Sequence, residues 1–238
     1  MVAQSAVSNQ EIASELSNIF KACRAVVAKN PQYIHEPQTT ITKATIEDVI
    51  AKMRADVKVF YKGFTKKPYS EETESVVGTY RKQMEASFEK TLRDYVAGTI
   101  DLKWTGENEY VKKWDGKLLP ARFAAQSAAN FSELTGGKVT VKLTTSSQLV
   151  VNKSNMPDAW ESEVIDQNLL MTTFKKPGAP QIKDDAESYR YILPEYYLAG
   201  CITCHGTKAG QEGHAIHPTK LDRALFQFAG GISITVKK

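Results

Sequence analysis

The most restrictive chemistry in the chain lies near its C-terminal end, at Cys201-Ile202-Thr203-Cys204-His205. Two thiols two residues apart can bond the two vinyl groups of a porphyrin while the imidazole that follows reaches the iron from one face. The motif therefore reads as the attachment site of one covalent haem c, with Cys201 and Cys204 bonded to it and His205 as an axial ligand. Cys-x-x-Cys alone also serves as a redox disulfide or as half of a zinc site. A thioredoxin-type motif belongs near a βαβ pattern at the start of a helix, whereas this one follows an extended segment rich in Tyr, 189–197. A structural zinc ion needs four ligands, and the nearby extra candidates are His214 and His217.

A second axial ligand has several candidates. Ser8 and Glu11 are spaced as a capping box, and Ile12, Leu16, Ile19, Cys23 and Val26 then recur at helical spacing, which puts Cys23 on the apolar face of a helix. A cysteine there is either a small buried hydrophobe or a thiolate for ferric iron, and the neighbouring Arg24 could offset the thiolate charge. Met156, between Asn155 and Pro157, offers a thioether or simply packs a turn. His214 and His217 could fold back onto the iron, and His35 in a Pro-flanked loop has no identifiable partner. No paired carboxylates, Ser-His-Asp set or phosphate loop is present, so no catalytic residues are expected. The chain is not expected to be an enzyme beyond weak peroxidase-type activity.

These residues have to be positioned by helices first and a sheet later. Helices are expected over about 8–30, 46–60, 71–97 and 121–134, the last opened by Pro120 and stopped by Gly136-Gly137. The period then changes to two: Val139, Val141 and Leu143 alternate with Lys and Thr as in a half-buried strand. A short helix over 159–170 and strands at 189–192 and 232–236 complete the pattern. With 238 residues the chain can bury a core without disulfides. The 31 basic and 27 acidic residues form no basic block dense enough for a nucleic-acid partner. No apolar run approaches the ~18 residues that a membrane span needs. Met1 to Gln4 lacks the basic and hydrophobic regions of a signal peptide. Because haem c is attached outside the cytoplasm, the expected location is a periplasm or thylakoid lumen, reached with a targeting segment since removed.

Four motifs in order carry a resemblance. Asn152-Lys153-Ser154-Asn155-Met156-Pro157-Asp158-Ala159-Trp160-Glu161 is followed by Tyr189-Arg190-Tyr191, by Cys-x-x-Cys-His-Gly, and by Gly230-Gly231-Ile232-Ser233-Ile234. This succession resembles the haem-c-binding PAS-like domain family of cyanobacteria and many proteobacteria. The Cys23 helix, with Ala25 and Ala28, and the Leu119-Pro120-Ala121 helix start are similar to it as well. The likeness covers roughly residues 12–30 and 117–238, and 36–116 reads as an enlarged helical insertion without a counterpart. It implies an α+β fold, a PAS-like antiparallel sheet with a helical N-terminal region (about 8–134), as one domain over 1–238. It further implies Cys23 in the place of the axial ligand opposite His205, and Asn155 and Trp160 near the haem pocket. The function it implies is redox or ligand sensing with an unknown redox or signalling partner; the alternative is a soluble electron carrier.

Overall fold

The structure is a computed structural model, and it describes residues 7–30, 43–102, 120–150, 152–198, 201 and 224–238. Ser8 begins α1 (Asn9–Lys29): its hydroxyl accepts from the Glu11 amide while the Glu11 carboxylate accepts from the Ser8 amide. That reciprocal pairing satisfies two of the amides a helix start leaves open. The buried face of α1 runs through Ile12, Leu16, Ile19, Phe20, Cys23 and Val27. Two long helices, α2 (Lys43–Thr65) and α3 (Val76–Val96), pack on it, and α4 (Pro120–Leu134) packs on α3 and α1. Phe20, Phe88 and Phe123 form a chain of ring contacts from α1 through α3 to α4.

The helix bounds differ from the expected ones for local reasons. The third helix begins at Val76 and not near 71, because Glu72 folds back to accept from the Ser75 amide and hydroxyl, and Ser75 then caps the helix. Gly78 is required beside that cap, since a Cβ there would lie 2.4 Å from the Glu72 carbonyl oxygen. The helix expected over 159–170 is a short α5 (Ala159–Val164) that widens into one π turn, Ile165–Leu169.

Four strands form one antiparallel sheet in the order β1-β4-β3-β2: β1 (Val139–Thr144), β2 (Gln181–Asp184), β3 (Ser188–Tyr196) and β4 (Phe228–Lys237). With a helical N-terminal layer before it, the fold is α+β. Alternation along the strands makes two faces. Val139, Val141, Tyr189, Tyr191, Ile232, Ile234 and Val236 join the core built on α1 to α4. Ile192 and Phe228 instead pack with Val164, Ile165 and Leu169 on the other side. Short, polar β2 lies at the edge with most of its residues exposed, which suits an edge strand and leaves little hydrophobic signal in the sequence.

The centre of the sheet is tight at Gly231, where a Cβ would sit 2.5 Å from Ile192 Cγ2. Both strands are held by ladder hydrogen bonds, so the clash cannot relax freely. Gly231→Ala is expected to cost about 2 kcal/mol, as overpacked cores do, lowering the melting temperature by roughly 4–8 °C for a chain of this size. An unchanged thermal unfolding midpoint would show that the strands have slack.

Candidate functional site

The end of β3 leads to the first motif cysteine. A register shift between Glu195 and Tyr196 turns the strand, and pairing continues past it. The Tyr197 amide donates to the Gln227 carbonyl at 2.9 Å, and the Phe226 amide to the Tyr197 carbonyl at 2.8 Å. Where the motif starts, the Cys201 amide donates to the Leu198 carbonyl at 2.8 Å. Cys201 is half-buried and in no disulfide. Cys204, His205, His214, His217 and His35 lie outside the described residues.

Helix α1 delivers Cys23 to the same end of the molecule. Tyr191 faces Ser14 and Ser17, while Glu195, further along β3, is ion-paired with Lys21 at 2.7 Å and Arg24 at 2.9 Å. Later residues of β3 therefore meet later residues of α1, and the two elements run in the same direction. Cys23 and Cys201 both lie toward their C-terminal ends.

The Cys23 side chain leaves α1 on the side away from the sheet. It is 3% exposed and forms the floor of a crevice walled by Ile50, Met53 and Val57 of α2 and by Glu85, Phe88 and Leu92 of α3. The crevice holds about 20 Å³, room for roughly one water molecule. Burial pushes the Cys23 thiol well above its usual range, and the charges of Glu85 and Glu89 push it further. The expectation that Arg24 would offset a thiolate charge is thus corrected: Arg24 reaches across to Glu195, and the charged groups that act on the Cys23 thiol are two carboxylates of α3. Sequence reasoning could not find them, because they come from a distant helix.

Over this crevice the α2–α3 seam is crossed by ion pairs. Arg54 grips Glu89 through two nitrogens at 2.5 and 2.7 Å, and Arg93 likewise grips Glu47. Deeper in, the Tyr69 hydroxyl donates to Glu85 at 2.6 Å, and burial holds the Glu85 carboxyl above its ordinary value despite that bond. Tyr61 and Arg81 bind the two oxygens of Glu15 on α1 at 2.6 and 2.8 Å.

Asn155, Met156 and Trp160 lie on the opposite side of the sheet from α1. Asn155 ends a 3₁₀ turn, Lys153–Asn155, and its carbonyl accepts from Thr144 at 3.1 Å. The exposed Met156 is held by its carbonyl, which accepts from Lys142 at 3.0 Å. Trp160 is half-buried against the outer apolar cluster, with the Arg190 guanidinium 4.5 Å from its ring centre. Around it the Asp158-Ala159-Trp160-Glu161 motif is a clamp: Asp158 and Glu161 cap α5 reciprocally, Lys142 reaches Glu161 at 2.5 Å, and Arg190 reaches Asp158 at 2.5 Å and Glu161 at 3.4 Å. Burial would raise the Asp158 carboxyl, but Arg190 and the Glu161 amide outweigh it and hold it below its ordinary value. The structure therefore brings Cys201 and Cys23 to one end but keeps Trp160 and Cys23 on opposite sides of the sheet.

Sequence reasoning missed the residues beside Cys201. Phe174 and Phe226 stack with ring centres 5.4 Å apart, the Phe174 amide donates to the Phe226 carbonyl, and Tyr196 packs edge-on against Phe174. A lone Phe in a loop carries no periodic signal, so only the fold reveals the cluster.

Among the described residues, no group of three or more His, Cys, Asp or Glu side chains is placed to hold a metal ion, and no helix is long and apolar enough to cross a membrane. No curated protein sequence matches the chain. A solved structure described as the cyanobacterial heme-protein Tll0287 is similar over 68% of this chain and 92% of its own, at 14% identity and a TM-score of 0.40. The family model described as Tll0287-like matches residues 3–237, a range that includes the helices for which the sequence resemblance offered no counterpart. With nearly its whole length matched, the chain belongs to the Tll0287-like family.

Proposed function

We propose that this chain is a monohaem c-type protein that works by redox or ligand sensing outside the cytoplasm, in a periplasm or thylakoid lumen. The reading is carried by one juxtaposition: a Cys-x-x-Cys-His motif opens at the half-buried, unpaired Cys201 at the end of β3, in a chain of the family named for Tll0287, itself described as a heme-protein. Cys201 and Cys204 would hold the haem by thioether bonds and His205 would ligate its iron. Cys23 is the proposed ligand opposite. Its burial and its two carboxylate neighbours favour the protonated thiol, so it would lose its proton to solvent only as its sulfur bonds a strongly attracting cation such as ferric iron. Since α2 and α3 lie against Cys23, ligation requires the seam above it to part. On this reading the sheet is PAS-like, and the haem supplies one-electron exchange and an iron site for small ligands. The chain itself supplies the attachment, the His and Cys donors and the apolar surroundings. No catalytic step is assigned.

Absorption spectra of the oxidised and reduced protein, taken with a redox titration, test the proposal. A low-spin ferric haem with thiolate character, whose sulfur bond weakens on reduction, is expected. A spectrum free of haem would overturn the proposal. A spectrum with methionine and histidine ligation, stable in both states, would favour the second reading, an electron carrier, in which exposed Met156 replaces Cys23.

A further inference from the structure

The apolar surface beside Cys201 is larger than the fold needs. Met171 is 90% exposed, Phe174 54%, Leu225 44% and Leu198 41%. All four belong to segments tied to the end of β3: the turn containing Phe174 is hydrogen-bonded to Phe226, Phe226 to Tyr197, and Cys201 to Leu198. Scattered exposed leucines need no explanation, but large apolar groups gathered at one place mark a surface meant to be covered.

The backbone is also arranged to present them. Phe226 has φ +73°, a left-handed conformation that a bulky side chain adopts only when its surroundings impose it. The register shift at Glu195 and Tyr196 lies on the neighbouring strand, and such irregularities re-aim side chains next to sites. Together they set the Phe226 ring against Phe174 and not into the core. The Tyr196 hydroxyl accepts from the Gly178 amide at 2.7 Å and pairs with Thr172 at 3.2 Å, which fixes the base of the Phe174 turn.

We infer that Phe174, Phe226 and Leu198 form the apolar wall covering the thioether edge of the haem bonded at Cys201. The inference rests on the proposed haem attachment and deepens it by naming residues the motif does not contain. Whatever the orientation of the ring as a whole, a group bonded to the Cys201 sulfur has its bonded edge beside the Leu198 turn. An apolar wall there keeps water from that edge, and the solvent exposure of a haem is one of the factors that set its reduction potential.

The test uses Phe174→Ser, a change at a half-exposed turn position that leaves the core intact. In the full-length haem-bearing protein, the variant should keep its covalent haem, lose much of the induced circular dichroism of the Soret band, and titrate at a shifted reduction potential. In the haem-free Cys201→Ser/Cys204→Ser chain, the exposed wall should bind a hydrophobic fluorescent dye several-fold more than the haem-bearing protein does, and adding Phe174→Ser should remove most of that excess. Unchanged dichroism and potential would overturn the inference. So would equal dye binding with and without haem, which would mean that the wall faces another partner. A wild-type protein that carries no haem would instead defeat the attachment reading itself.

Discussion

Glu161→Ala is expected to unfold this protein at a markedly lower temperature. The carboxylate is 1% exposed and is the meeting point of Lys142, Arg190 and the Asp158 amide. Its removal leaves Arg190, whose side chain is 15% exposed, without one of its two carboxylates, and takes away half of the capping box of α5. Removing one partner from a buried pair typically costs about 3–5 kcal/mol, because the remaining charge stays desolvated. Lys142 is 30% exposed and can turn to water, so the lower end, about 3 kcal/mol, is the expected loss. That corresponds to a fall of roughly 6–12 °C in the melting temperature. Asp158 adds a pH dependence. Its folded-state affinity for a proton is lowered, so its contribution is present above the ordinary value of 3.8 and is lost as pH falls through the depressed folded value. Asp158→Asn should therefore lower stability throughout the neutral and alkaline range and flatten the acid limb, where the wild type loses the same contribution. Thermal melts of Glu161→Ala within 2 °C of wild type, about the effect of a surface change, would show that the clamp contributes little.

Cys23→Ala should have the largest effect on the iron. An anionic sulfur stabilises ferric iron, so its loss should raise the reduction potential by on the order of 100 mV or more, within the ~0.8 V that axial ligands span. The ferric spectrum should become high-spin or report a replacement ligand, and carbon monoxide should bind the ferrous form more readily. Parting the seam above Cys23 exposes some of the apolar packing of Ile50, Val57, Phe88 and Leu92, and the iron–sulfur bond has to offset that cost. The surface ion pairs that cross the seam, such as Arg54–Glu89 and Arg93–Glu47, add little to it, because exposed pairs of this kind contribute little. If Cys23 is only a packed thiol, the variant will show an unaltered spectrum and potential, with no more than a modest loss of stability from the missing sulfur.

The elements that position the site were legible in the sequence where a local rule acts. Ser8 with Glu11 and the apolar spacing through Val26 gave α1 and the buried face on which Cys23 lies. The alternation after Gly136-Gly137 gave β1. Elements set by long-range contacts were not legible. β2 is a polar edge held by pairing with β3, and the π turn after α5 depends on the packing of Ile165 and Leu169. For the site, sequence spacing marked the motif cysteines and Cys23. The carboxylates facing Cys23, the clamp joining Lys142 and Arg190 to Glu161, and the stacked Phe174 and Phe226 come from segments far apart in the chain. Helical periodicity could put Cys23 on the apolar face, but only the packing of α2 and α3 shows which elements its side chain meets.

Covalent attachment is the point on which the functional account stands, and acid–acetone extraction followed by denaturing electrophoresis with haem staining tests it most directly. Thioether bonds survive both treatments, so the haem should migrate with the full-length polypeptide, be diminished in Cys201→Ser or Cys204→Ser, and be absent when both are replaced. Complete extraction of the haem from the wild-type protein would contradict the account.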